Sequence, residues 1–447
     1  MNKIIYHIIP SLLILLVTGC EKKEKYEFDP DFFPRIFDQT GVFTSPMQVI
    51  SEGETVEYAG LVFSPAGNVD VTWKVDGQEV SKAESYAFSP SSGGEFEITL
   101  EVTNNGQTAV RRSKVLVSPS EYTFDSYTKV AMSYLSESGS VANIDWNTVN
   151  HIAFKAARAL PDGQLDVMAG ETNQVANELV ARAHINKKRV LLGVSGRLSG
   201  LDGWALYDGN DFGSAIVDPA RRALFVENLI NYMTAKQMDG IDIMMNDINL
   251  SSGHAPNLQA LGPLLTELRT ALDEDKLLTL TVGVGWQHWD YPVDLSMVDW
   301  VNVRAFENGL TVGPGAPLGQ PSPYQFMVDG ADIWLNSHGI PADKIVIGIP
   351  AFGLRYDELD GDGNNLGWGS YGYMSYSEIL AADATASEKE HIPTIGKGVF
   401  YNGIPLVRTK AAYIRDNNFK GGYLWAGDYD VLGEKSLMKA LYDTLHE

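Results

Sequence analysis

The stretch "QMDGIDIMMNDINL", residues 237–250, decides how the rest of the chain is read. At its centre "GIDIMMN" is an apolar run of strand length, and runs of that kind, buried on both faces, build parallel sheets. Successive side chains of a strand point to opposite faces, so Asp242, Met244 and Asn246 share one side. Ile241, Ile243 and Met245 share the other and are expected to pack against helices. Met244 and Asn246 stand toward the end of the strand, where sites on parallel sheets form.

Outward from this strand the same rhythm repeats after residue 124. Apolar runs occur at "KVAMSYL", "HIAFKAA", "RVLLGVSG", "LLTLTVGVGW", "VDWVNVRAF", "KIVIGIPAFG" and "GGYLWAGD". Between most of them lie helical stretches such as "TNQVANELVARAH", "PARRALFVENLINYMTAKQ", "PNLQALGPLLTELRTAL", "YQFMVDGADIWLNSHG" and "KSLMKALYDTL". With "GIDIMMN" they predict eight buried parallel strands with helices outside, an α/β fold of the (β/α)8 TIM barrel type over residues 124–447. Its site is expected at the C-terminal ends of the strands. A doubly wound open sheet is the competing architecture; no glycine-rich phosphate fingerprint follows the first strand, so the barrel is preferred.

Upstream, over residues 40–119, short alternating strands replace this rhythm: "TVEYAGLVF", "VDVTWKVDG", "SYAFSP", "EFEITLEVTNNG" and "RRSKVLVSP", separated by Gly, Asn and Ser turns. They predict a small all-β sandwich. The series "VTWKVDG…F…GEFEITLEVTNNG" resembles the PKD-like and other immunoglobulin-like modules of secreted carbohydrate-active proteins, and Trp73 is expected in its core. Residues 1–19 pair a basic start at Lys3 with an apolar run from Ile8 to Val17 and read as a secretion signal. That run is about half of the ~20 residues needed to span a bilayer. Thr18 and Gly19 lead into Cys20, the only cysteine of the chain, which therefore has no disulfide partner. "LVTGC" resembles the lipobox of bacterial lipoproteins, which implies that Cys20 is lipidated and becomes the mature N-terminus. Residues 20–39, with the charged "EKKEKYEFDPDF", then form a solvated tether. A formal charge of −23 over 447 residues disfavours nucleic acid and other polyanions and is compatible with a neutral glycan.

The barrel motifs carry a more specific resemblance, over roughly residues 124–447. "DGIDIMMN" is similar to the D-G-x-D-x-D-x-E pattern on the fourth strand of glycoside hydrolase family 18, the chitinases and endo-β-N-acetylglucosaminidases. "RVLLGVSG" resembles the family's third strand, "VDWVNVRAFE" its sixth, "GIPADKIVIGIPAFG" its seventh and "GGYLWAGD" its last, in matching order and spacing. Position by position, Asp239 and Asp242 keep the first two acids of the pattern. Met244 stands where the family has the acid that orients the substrate acetamido group, and Asn246 where it has the glutamate that protonates the leaving oxygen. On the sixth strand the family's M-x-Y-D becomes Arg304, Ala305, Phe306 and Glu307, so the tyrosine hydroxyl that supports the intermediate is missing.

In that family the substrate's own N-acetyl group is the nucleophile, and the protein supplies a general acid and a partner for the oxazolinium ion. An amide does not titrate near neutral pH and cannot give up a proton and then act as base. General acid catalysis alone is worth ~10²- to 10⁴-fold. The expectation is a cleft without catalytic residues, Asp239, Asp242, Met244 and Asn246 being degenerate positions. Binding is expected to survive because the resemblance places Trp425 as the floor beneath the central sugar, and aromatic faces suit the C–H faces of pyranose rings. Tyr134 ends the first strand and Trp286 the fifth, while Trp204, Trp289 and Trp368 lie in loops expected to rim the same face. Arg304 is either an ion-pair partner of Glu307 or Asp242, or a donor to sugar hydroxyls or a carboxylate. Asn246 offers two donors and an acceptor to a sugar oxygen. The expected substrate-binding set is Tyr134, Asn246, Trp286, Arg304, Phe306, Glu307 and Trp425.

Two alternatives stay open: an endo-acting glycosidase with a displaced acid at Asp247 or Glu307, and a barrel that binds protein. The stretch "LDGDGNNLGWG", residues 359–369, has Asn365 where a calcium loop has glycine and lacks the final glutamate, so it reads as a polar turn. The eight histidines show no ligand spacing, and neither a metal nor a cofactor is expected. The resemblance implies an exported protein, lipid-anchored to the outer membrane at the cell surface. There it would hold a chitin oligosaccharide or N-glycan beside the partner proteins of a glycan-uptake system.

Overall fold

The structure, a computed structural model, describes residues 33–447 except 46, 137–138, 168–170, 196–200, 203–204, 207–210, 245–253, 286–287, 290, 293 and 308. Eight parallel strands close on themselves: β1 (Val130–Leu135), β2 (His151–Ala159), β3 (Arg189–Ser195), β4 (Gly240–Ile243), β5 (Leu277–Gly283), β6 (Trp300–Arg304), β7 (Ile345–Pro350) and β8 (Gly421–Trp425). Each pairs with its neighbour in the chain, and β8 returns to β1 with Val130 opposite Gly421 and Ser133 opposite Leu424. This closure excludes the open doubly wound sheet. A two-residue strand, Leu165–Asp166, adds antiparallel to the end of β2.

The alternation read in "GIDIMMN" sorts the barrel into two cores. Ile241 and Ile243 on β4, Val190 and Leu192 on β3 and Leu278 and Leu280 on β5 point outward and are fully buried among helix residues such as Leu229, Leu264 and Leu268. Burying each such side chain contributes roughly 1.5–3 kcal/mol. The intervening positions, among them Met132, Tyr134, Leu191, Met244, Trp300 and Tyr423, fill the barrel interior as a separate cluster. The helix Pro219–Ala235 shows how the outer layer is started. Asp218 accepts from the backbone N–H of Ala220 and Arg221 at 3.0 and 2.9 Å, and proline occupies the first helical turn, where its missing N–H leaves no bond unmade.

Asp239 lies at the opening end of β4 rather than at the site. Its buried carboxylate accepts from the Val190 N–H at 2.8 Å and from His184 Nε2 at 3.0 Å, tying the helix Glu171–Ile185 to the barrel wall. Between β7 and β8 the chain inserts an antiparallel sheet of Tyr371–Ser375, Phe352–Tyr356, Val399–Phe400 and His391–Ile392, in that order. Helices Tyr376–Ala382, opened by a Ser375–Glu378 capping box, and Ile404–Asp416 complete the insertion.

Among the described residues from Arg35 to Ser118 every element is a strand. Packing divides the chain into two units, one holding the described residues up to Ser45 with Glu57–Tyr86 and Ile98–Arg112, the other Pro46–Val56, Ala87–Glu97 and Ser113–Glu447. In the first, Trp73 is fully buried as expected, with ring centres of Tyr58, Tyr86 and Phe43 at 5.4, 5.6 and 6.2 Å. Its indole N–H donates to the Ala83 carbonyl at 3.0 Å. The strand Arg35–Asp38, paired antiparallel with Leu61–Ser64, falls within the span given to the tether; four residues are too few to show a period. In the second unit Met47–Ser51 runs parallel to residues 114–118. No described helix is long and apolar enough to cross a membrane. The signal segment and Cys20 lie outside the described residues.

Candidate functional site

The inward face of β4 begins with Asp242, which is fully buried. Its Oδ2 accepts from the Tyr134 hydroxyl of β1 at 2.6 Å, and its Oδ1 from the Thr279 hydroxyl of β5 at 2.6 Å and from Asn302 Nδ2 of β6 at 2.9 Å. Asn302 Nδ2 also donates to the Tyr134 oxygen at 3.1 Å, and Trp300 Nε1 donates to Asn302 Oδ1 at 2.9 Å. Parallel register sets these groups level, with Asp242 opposite Thr279 and Thr281 opposite Asn302. Burial pushes the Asp242 pKa up, and the hydrogen bonds from Thr279, Tyr134 and Asn302 pull against it. Burial, and after it the Asp242 charge, holds the Tyr134 phenol protonated well above the ordinary tyrosine range. The carboxylate is thus saturated with donors from three other strands. It braces the barrel across its width.

One layer further toward the strand ends, Tyr134, Met244, Thr281, Arg304, Phe306, Tyr423 and Trp425 line a small pocket, with about 290 Å³ of empty space when the open solvent at its mouth is counted. Two glycines make room for it. A Cβ at Gly193 would meet Met244 Sδ at 2.8 Å, and one at Gly348 would meet Tyr423 Cζ at 2.5 Å and Phe306 Cε1 at 2.8 Å. The half-buried Trp425 has its ring centre 5.1 Å from that of Tyr134, which meets Tyr423 edge-on at 5.0 Å; Phe306 meets Tyr423 edge-on at 6.2 Å. Arg304 places its guanidinium carbon 5.3 Å from the Phe306 ring centre and pairs with Glu307. Burial raises the Tyr423 pKa as well. Among the described residues that line the pocket there is no carboxylate, imidazole or thiol. What they offer is an aromatic floor with a threonine hydroxyl and a guanidinium at its side, an arrangement suited to a flat ring with C–H faces and a hydroxyl rim.

The structure brings together Tyr134, Arg304, Phe306 and Trp425, together with the degenerate position Met244. Glu307 joins through Arg304, which settles the ion-pair alternative in favour of Glu307 over Asp242. Tyr134 contributes its ring, because its hydroxyl is committed to Asp242. Asn246, Trp286, Trp204 and the proposed stand-in acid Asp247 lie outside the described residues. Trp289, 66% exposed, rests against His288 with ring centres 4.1 Å apart, and neither it nor Trp368 lines the pocket. Sequence reasoning missed Thr281 and Tyr423. The signal was available, since each lies two residues along its strand from another inward group, Thr279 or Trp425.

The profile of Glycosyl hydrolases family 18 matches residues 103–430. Chitinase-3-like protein 2 of Homo sapiens is 25% identical over 294 residues, which cover 57% of this chain and 73% of that protein. The crystal structure of a chitinase from Bacteroides thetaiotaomicron is similar with a TM-score of 0.58 at 21% identity, covering 71% of this chain and 97% of that one. A mutant class V chitinase from Nicotiana tobaccum in complex with NAG4 is similar with a TM-score of 0.57 at 20% identity, covering 71% and 99% of the two chains. Identities of this size between structures speak for the fold alone.

Proposed function

The chain belongs to glycosyl hydrolases family 18, and on that premise we propose that its barrel holds an N-acetylglucosamine-containing oligosaccharide, a chitin oligosaccharide or an N-glycan, without cleaving it. The observation that carries this reading is the lining of the pocket. The aromatic floor of Trp425, Tyr423 and Tyr134 is present, while Met244 and Phe306 fill the places from which the resemblance expects a carboxylate and a phenol. Hydrolysis needs a proton delivered to the glycosidic oxygen. The described lining has no group that exchanges one near neutral pH, and the nearby Glu307 is engaged by Arg304. The mutant class V chitinase in complex with NAG4 supports the ligand class, since its fold is shared. Four aromatic rings gathered in a concave pocket favour a sugar over a protein partner.

The reading extends to placement. Cys20, at the end of "LVTGC", is lipidated, and the anchored, exported chain presents its barrel to glycan at the surface of the outer membrane within an uptake system. Cys20→Ser should move the protein from the membrane fraction to the soluble fraction. The central test is titration calorimetry with chitin oligosaccharides beside product analysis of the same mixtures. Saturable binding with every oligosaccharide recovered intact is the expected result. Steady release of shortened sugars by the unmodified protein would overturn the proposal.

A further inference from the structure

The end of β6, which carries two of the pocket residues, is fastened by a buried relay outside the lining. The strand pairs with β7 as far as Val303 and with β5 as far as Arg304, and past these points the backbone leaves both neighbours. The Ala305 N–H turns back to the Val303 carbonyl at 3.0 Å, and the Ala305 carbonyl accepts from the Ser322 hydroxyl at 2.6 Å. Arg304 and Phe306, on either side of Ala305, both line the pocket, so this peptide sets where the guanidinium and the ring stand. Ser322 is gripped in turn by Lys410 of the helix Ile404–Asp416. Lys410 Nζ donates to the Ser322 carbonyl at 2.7 Å, to the Ser322 hydroxyl oxygen at 2.6 Å and to Asn402 Oδ1 at 2.6 Å. All three residues are buried.

Three acceptors match three hydrogens, and the lysine side chain has three only as the ammonium. None of the acceptors is charged, and burial pushes the Lys410 pKa down to about 7. The titratable group that pulls the other way is Glu390, whose carboxylate accepts from Gln320 Nε2 at 2.7 Å. We propose that Lys410 and Ser322 are positioning residues for the pocket: with Lys410 protonated the Ser322 hydroxyl holds the Ala305 carbonyl, and when that proton leaves for solvent the hydroxyl turns to the amine and the grip on glycan weakens. The chemistry of the amine dictates the turn. A neutral amine keeps two hydrogens, for the Ser322 carbonyl and Asn402 Oδ1, and gains a lone pair that faces the Ser322 oxygen. The hydroxyl hydrogen is the one available to answer that lone pair, and in doing so it abandons Ala305 between Arg304 and Phe306. Lys410 lies outside the pocket lining and acts through this relay. The proposal deepens the glycan reading of the pocket and rests on it.

The test is titration calorimetry of the purified protein with N,N′,N″-triacetylchitotriose at about pH 6 and about pH 8.5, on either side of the Lys410 transition. Wild-type affinity should fall about 2- to 10-fold between the two, the worth of one hydrogen bond. Lys410→Met has no lone pair to draw the hydroxyl away and should bind at the tighter level at both. Ser322→Ala has no hydroxyl to lend and should bind at the weaker level at both. By linkage, wild-type binding at about pH 7 should take up a fraction of a proton, read by repeating the titration in buffers of different ionisation heat, and Lys410→Met should take up none. Wild-type affinity that does not change with pH overturns the relay and leaves the pocket reading in place. A fall with pH retained by either variant, or Lys410→Met held at the weaker level, does the same. If Lys410→Met fails to fold, the pH profile of Ser322→Ala decides. A wild-type protein that binds the trisaccharide at neither pH overturns the pocket reading and the relay with it.

Discussion

Asp242 lies on the inner face of β4 and Met244 directly past its end on the same side, and their surroundings differ in kind. At Asp242 the barrel is polar, with the carboxylate answered by donors from three other strands. At Met244 it is apolar and aromatic, open toward the strand ends. The lower layer does mechanical work in every state of the protein, so removing its carboxylate leaves buried donors unanswered. The upper layer opens toward the strand ends at the half-buried Trp425, while Met244, Phe306 and Tyr423 are buried and also pack the barrel interior. Under the proposed reading the loss of chemistry is confined to the upper layer, and the bracing beneath it keeps the barrel's shape.

The strongest way to break this comparison is Asp242→Leu, which strands the Tyr134, Thr279 and Asn302 donors inside the barrel. It should cost roughly 3 kcal/mol or more, since each buried donor left unanswered costs ~1–3 kcal/mol, read from the midpoint of denaturant unfolding; a cost under about 1 kcal/mol would deny the lower layer its bracing role. The same residue gives a pH signature. Burial holds the folded-state pKa above the ordinary aspartate value of 3.8, so between the two values the folded chain keeps a proton that the unfolded chain has released. Stability from this group is complete below 3.8 and declines as pH rises through the folded value, and Asp242→Asn should flatten that decline in unfolding curves.

In the upper layer Trp425→Ala should weaken oligosaccharide binding by roughly 1 to 3 kcal/mol, in line with stacked aromatic contacts, and leave the unfolding midpoint nearly unchanged. Arg304→Ala separates a partly exposed ion pair and should cost stability only about 0 to 1 kcal/mol, while calorimetry shows a loss of affinity. The smallest effect is expected from Asn246→Glu. Product analysis should find no robust turnover, because Met244 and Phe306 still lack the carboxylate and phenol; efficient cleavage by that single variant would show that the upper layer was one residue from chemistry.

Much of this was legible in the chain. The eight barrel strands could be read because each is an apolar run long enough to show itself, and Asp242 and Met244 were placed on one face by the period of two alone. The inserted sheet was not legible, for two physical reasons. Phe352–Tyr356 continues directly from β7 in a single apolar run, and His391–Ile392 and Val399–Phe400 are too short for any period. The helix Ile404–Asp416 was passed over as well; it carries a buried lysine, Lys410, on its inner face, which blurs the apolar stripe. In the site, Trp425 and Arg304 were found through their motifs. Thr281 and Tyr423 have no motif of their own, and only the period of two, counted from Thr279 and Trp425, points to them.

The bare α-carbon at Gly348 has a consequence of its own. Because the Tyr423 and Phe306 rings fill the volume that a single methyl group would claim, the depth of the cup is set from behind, by a residue outside the pocket lining. A lineage could abandon its ligand by acquiring alanine there, with all the visible furniture of recognition still in place.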